Sequence, residues 1–359
     1  MMPLVRALAL AAATSAALLA ASCSTSSTPD TPASAASCVE AASAKLSCPV
    51  LPGEFPPPDC QPAGASDAQC TGGGCAIDEA KCGSASTCMP LGDNRGRTVL
   101  DFRIRRLNIA APDSLAALDF QAKVTIPTID LKSAQCGEHG SDSWAWLMRL
   151  DREKKTLTTG GAPPSSDPFA LGYCFFNSER QGKKIAPAAG IPVRLDKDGT
   201  VFSSGGSAKL TMPLFVGGDP NALVLLPITD FAVRNVTTSA EDNCIGSFNA
   251  KALDGACVED PAKCSKWRTA GAMAGYITLE DADGVDVSAF KQSLCSLLTK
   301  SKTAKCPRDA AGKISLQGDY CGATRKACDC RDSFWVAATF AASAVRIHDG
   351  SSVPECGAP

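Results

Sequence analysis

From Leu100 onward, apolar and polar positions alternate with a period of two. Leu100, Phe102 and Ile104 interleave with Asp101, Arg103 and Arg105, the mark of a strand with one dry and one wet face. On this pattern the Arg103, Arg105, Arg106 group stands on the wet face of a sheet. Leu118, Phe120, Ala122, Val124 and Ile126 repeat the alternation and predict another strand over 118–126. Trp144, Trp146, Met148 and Leu150 form a third apolar row, which Asp151–Lys154 turns back into Thr156–Thr159. Ile191, Val193 and Leu195 run into the turn residues Asp196–Gly199 and then Thr200–Ser203, a hairpin pattern. Further strands are expected over 209–216, 222–236, 271–280 and 334–347, with Pro213 and Pro227 marking edges or bulges.

One stretch changes period. Val287, Phe290, Leu294, Leu297 and Leu298 recur at helical spacing behind Asp286, a plausible N-cap, and predict an amphipathic helix over 286–300. Many short strands with Gly- and Pro-bearing turns predict a mainly β fold. The expected form is an antiparallel β-sandwich-like domain with one short amphipathic helix, preceded by a small disulfide-rich segment.

The N-terminus has a different composition. Arg6 precedes the small, apolar runs Ala7–Ala13 and Ala16–Ala21, the layout of a secretory signal. These runs are short beside the roughly 20 residues that span a bilayer. Leu19-Ala20-Ala21-Ser22-Cys23 resembles the lipobox of bacterial prolipoproteins, although Leu stands four places before the cysteine instead of three. The resemblance implies cleavage before Cys23 and acylation of that residue, palmitate included. The residue after the cysteine is Ser24; in that class an Asp there favours inner-membrane retention, so outer-membrane placement is implied. Ser24–Ser37 contains only Ser, Thr, Pro, Ala and one Asp, and reads as a flexible tether. The expected organisation is therefore signal peptide 1–22, lipidated cysteine and tether 23–37, cysteine-rich knot 38–96 and β-rich main domain 97–359.

Nineteen cysteines fit an oxidising compartment. Setting Cys23 aside leaves an even 18. Seven of them, Cys38, Cys48, Cys60, Cys70, Cys75, Cys82 and Cys88, fall within 51 residues poor in large apolar side chains. Seven is odd, so at least one is expected to reach the main domain, whose own cysteines are Cys136, Cys174, Cys244, Cys257, Cys264, Cys295, Cys306, Cys321, Cys328, Cys330 and Cys356. The knot spacings match no paired zinc-ligand pattern. Cys328 and Cys330, one residue apart, are expected to take different partners.

Recognisable chemistry is sparse. The two histidines are His139 and His348. Glu138-His139-Gly140-Ser141-Asp142-Ser143 gathers catalytic residue types, but neighbours in one loop rarely converge, and a solvated loop is expected. No nucleophile elbow, zinc-protease motif, Walker loop or dinucleotide fingerprint occurs. Asp281, Asp283 and Asp286 surround Gly284 and would suit calcium, the one cofactor the sequence raises. The glycine comes two places early for an EF-hand, however, and the segment reads as a strand-to-helix turn. A net charge of -2 gives nucleic-acid binding no support. These features suggest a lipid-anchored, exported surface or envelope protein that binds a glycan, protein or lipid without catalysis. An exported hydrolase and a structural component of envelope assembly are the alternatives.

Overall fold

Val99–Ala111 (β1) is the central strand of a large antiparallel sheet. The other principal strands are Ala145–Asp151 (β2), Thr156–Ala162 (β3), Ala188–Leu195 (β4), Val201–Ser204 (β5) and Ala208–Phe215 (β6). They are followed by Leu223–Arg234 (β7), Val236–Thr237 (β8), Gly271–Thr278 (β9) and Ser333–Ala344 (β10). Their order across the sheet is β6-β7-β9-β10-β1-β2-β3-β4-β5-β8. The computed structural model describes residues 48–359 except 63, 181, 216–222, 354–355 and 357–359. The signal sequence, Cys23, the tether and Cys38 lie outside the described residues.

The fold is mainly β, and the sheet curls. β6 packs back against β3, and β7 against β5, although these strands are far apart in sheet order. The Phe215 amide at the end of β6 donates to Ser143 O at 2.8 Å. Gly161 on β3 permits the close approach, since a Cβ there would lie 2.6 Å from Pro213 Cγ on β6.

A bulge on β1 sorts its side chains. Ile104 pairs with Ala342 and Arg106 with Ala341, so Arg105 is the extra residue. Leu100, Phe102, Ile104, Leu107 and Ile109 consequently share the apolar interior. Asp101, Arg103, Arg105, Arg106 and Asn108 occupy the other side, and all five are buried. The wet face expected for these arginines is not found, because a layer of loops and cysteine-rich chain covers it.

Disulfides hold that layer in place. Cys70–Cys264, Cys75–Cys257, Cys82–Cys136 and Cys88–Cys244 tie the cysteine-rich segment to the body, while Cys48–Cys60 closes a loop within it. Cys174–Cys356, Cys295–Cys306 and Cys321–Cys330 brace other loops. Cys328 is disulfide-bonded too; the other sixteen described cysteines pair among themselves, so its partner lies outside the described residues. Trp335 Nε1 donates to Glu54 O at 2.7 Å and Thr339 Oγ1 to Cys60 O at 3.0 Å, fastening the segment along β10.

Two expected elements are corrected. Residues 118–129 form a helix, built from Leu118–Phe120, a π-helical turn Gln121–Thr125 and Ile126–Ile129. Gln121, Thr125 and Ile129, four apart, are its buried positions, so polar side chains fill the stripe that would have revealed a helix. Pro127 lacks an amide and crowds the preceding turn, which accounts for the π-turn at that point. The helix expected over 286–300 is broken up instead. Asp286–Val287 pairs with Gln292–Ser293 across a turn at Ser288–Phe290, and only Leu294–Leu298 is α-helical. Ser293, whose Oγ accepts from the Ser296 amide, caps that short helix in place of Asp286.

Candidate functional site

The curled sheet lines an apolar cavity of about 270 Å³ that opens to solvent on one side. Leu107, Met273 and Ala338 form its floor on the central strands, and Trp144, Trp146 and Phe231 its walls. The 118–129 helix covers one side with Phe120, Val124 and Thr128, again four apart, while Ala122 and Lys123 remain exposed. The Gln121 side chain pins this cover to β1: the Ile109 amide donates to its Oε1 at 3.0 Å, and its Nε2 donates to Ala116 O at 2.9 Å. Phe120 stacks on Phe290 with centroids 5.9 Å apart, joining the helix to the neighbouring turn.

The hydroxyls of the cavity lining and the Trp146 indole are committed to the protein. Ser141 Oγ donates to Pro127 O at 3.1 Å, which leaves Ser143 Oγ to donate to Ser141 Oγ at 2.8 Å. Thr128 Oγ1 donates to Val124 O, and Trp146 Nε1 to Thr159 Oγ1 at 2.8 Å. Trp144 Nε1 has no partner among the described residues and is closed off from solvent.

Behind the cavity wall lies a network of four cations and four anions. Arg103 pairs with Asp142, and Lys266 with Asp130. Arg105 Nη2 donates to Glu138 Oε1 at 2.8 Å, and Arg106 Nη2 to Glu259 at 2.6 and 2.7 Å. Tyr173 Oη donates to Asp142 Oδ2 at 2.6 Å, and the Arg103 guanidinium lies over its ring. Burial works against each carboxylate, but Arg105 and Lys266 hold Glu138 below its ordinary pKa, and Arg106 and Lys266 do the same for Glu259. For Asp142, burial outweighs Arg103 and raises the pKa. Such pairs contribute little net stability against an apolar equivalent, yet losing one partner strands the other in the interior. Their effect here is to fix β1 and the 138–144 loop, whose other sides line the cavity.

The sequence-derived candidates separate in space. In the 138–143 loop, Glu138 and Asp142 turn into the charge network, and Ser141 and Ser143 reach the cavity. His139 stays exposed with a ring nitrogen 3.1 Å from Cys257 O. The loop is therefore half-buried instead of solvated throughout, and its catalytic residue types diverge. Of the three aspartates, Asp283 accepts from the Cys306 amide, Ser293 Oγ and Arg308, while Asp286 accepts from Lys305. Asp281 is exposed in the short helix Leu279–Asp283, its amide donating to the capping Thr278 Oγ1 at 3.0 Å. Asp283 also lies near Cys295 and Cys306, but those sulfurs are bonded to each other and supply no thiolate. The cavity itself escaped sequence reasoning. Its one linear trace is the row Phe120, Val124, Thr128, visible only once 118–129 is read with a period near four.

Among the described residues, no helix is long and apolar enough to cross a membrane. No protein-family model, curated protein or solved structure matches the chain.

Proposed function

We propose that this protein is an exported, lipid-anchored binding protein whose curled sheet holds an apolar ligand without transforming it. The cavity carries the binding half of this reading. Its volume approaches the range of about 300–1,000 Å³ typical of small-molecule sites. An occupant that fills the space removes its apolar lining from water, worth about 25 cal/mol for each Å² covered. The sequence of residues 1–37 supports the anchoring half, since a secretory-signal pattern ends on the lipobox-like cysteine and a Ser/Thr/Pro/Ala-rich tether with one Asp follows.

Two experiments test the two halves. Palmitate labelling and globomycin-sensitive processing are expected for the native chain and lost in Cys23→Ala; persistent labelling of that variant removes the anchor. Solvent extraction of protein purified from membranes, followed by mass spectrometry, is expected to release an apolar compound in near-stoichiometric amount. A clean extract, with no uptake of a neutral apolar dye by the extracted protein, removes the binding reading.

A further inference from the structure

The side chains lining the cavity fall into two classes. Inside, the Ser141, Ser143 and Thr128 hydroxyls and the Trp146 indole already donate to protein acceptors, and the unpartnered Trp144 Nε1 is closed off, so the lumen offers a ligand little except carbon. At the rim, Lys123 and Asp286 also line the space, and their side chains are 66% and 76% exposed. Their present partners, Asp119 and Lys305, are exposed or half-exposed as well, so these ion pairs exchange readily with water or a ligand. An apolar lumen under a rim with one cation and one anion is matched by a molecule of the same division. Resting on the reading of the cavity as a binding site, we propose that its occupant is a single-chain amphiphile with a zwitterionic head. The alkyl chain fills the lumen, while the anionic and cationic parts of the head remain outside with Lys123 and Asp286.

Size and charge exclude the nearest competitors. An apolar cavity of about 150 Å³ already accommodates benzene, so about 270 Å³ holds one chain of moderate length and leaves no room for a second. A hydrocarbon gains the lumen but nothing from the rim. A fatty acid gains Lys123 but meets Asp286. No bond is made or broken in this reading.

The test is displacement of a neutral naphthylamine dye from the full-length protein by lauroyl lysophosphatidylcholine and laurate, each below its micellar concentration, and by dodecane below its solubility limit. The zwitterion is expected to bind more tightly than either competitor. Exposed ion pairs of this kind are worth about a two- to fivefold change in affinity. Lys123→Glu and Asp286→Lys should therefore each lower the preference for the zwitterion over dodecane by that factor, and Asp286→Lys should raise the affinity for laurate. Equal affinities for the three chains, or preferences that neither reversal moves, would overturn the zwitterionic assignment while leaving the apolar site intact. Failure of the dye and all three chains to bind would remove the site itself.

Discussion

Leucine in place of Ala338 separates an empty lumen from an ordinary packed core. Ala338 sits on the central strand β10, is buried, and lines the cavity floor opposite the covering helix. The substitution adds three carbons, each worth about 0.8 kcal/mol when taken out of water. If the space is open, the side chain enters it without displacing neighbours, for a gain approaching about 2 kcal/mol. If the region is close-packed, the same atoms force shifts that cost about 1–3 kcal/mol. The two cases differ in sign. At roughly 2–4 °C per kcal/mol for domains somewhat smaller than this one, the ligand-free variant is expected to melt about 4 °C or more above the ligand-free native protein. Because the added atoms occupy the volume a ligand needs, dye affinity should fall at least tenfold in the same variant. Differential scanning calorimetry and a dye titration measure both. A lower melting temperature with unchanged dye affinity would refute the reasoning, since it would place Ala338 in a filled core away from the ligand.

The other expectations concern the layer behind the cavity and the ends of the chain. Arg105→Leu leaves Glu138 buried without its guanidinium and should cost about 3–5 kcal/mol in urea unfolding. Arg105→Leu with Glu138→Leu should recover much of that, and a double variant no better than the single would show that the pairing is not the cause. Burial pushes the Asp319 carboxyl up to about 6 although it accepts the Trp335 amide. A raised acid pKa means the folded state holds a proton that the unfolded chain has released. Stability should accordingly fall as pH rises from about 4 to about 6, by up to about 3 kcal/mol for this group. Asp319→Asn, which keeps an acceptor for Trp335, should flatten that slope; an unchanged slope would contradict the assignment. Non-reducing peptide mapping should join Cys328 to Cys38, because Cys23 and Cys38 are the cysteines beyond the described ones and the anchor requires Cys23. A Cys23–Cys328 peptide would contradict lipidation.

The strands were largely legible because their period-2 patterns are set by one buried face. Leu100–Ile104, Trp146–Leu150 and Ile191–Leu195 each lie in the elements that their alternation indicates. The same rule failed at 118–129, where the buried stripe is Gln121, Thr125 and Ile129. Two polar residues there satisfy backbone groups or pack against β1, so the apolar residues left over mimicked a strand. It failed again at Arg103, Arg105 and Arg106. Charge signals water only when no second layer covers it, and here the carboxylates that neutralise these cations arrive from Glu138, Asp142 and Glu259, distant in sequence. The adjacent arginines at 105 and 106 did carry a signal, since two polar residues in succession within an alternating strand mark the bulge. The cavity had no comparable trace, because six strands from β6 at one edge across to β2 contribute to it and only the curvature of the sheet brings them round one space.

A fluorescence titration with a neutral naphthylamine dye addresses the apolar site most directly, because Trp144 and Trp146 line the space the dye would enter. The expected result is saturable one-to-one binding, with a blue-shifted dye emission excited through tryptophan and strongly weakened in Ala338→Leu. Non-saturable binding, or binding that Ala338→Leu leaves at native strength, would contradict a ligand site within the curled sheet.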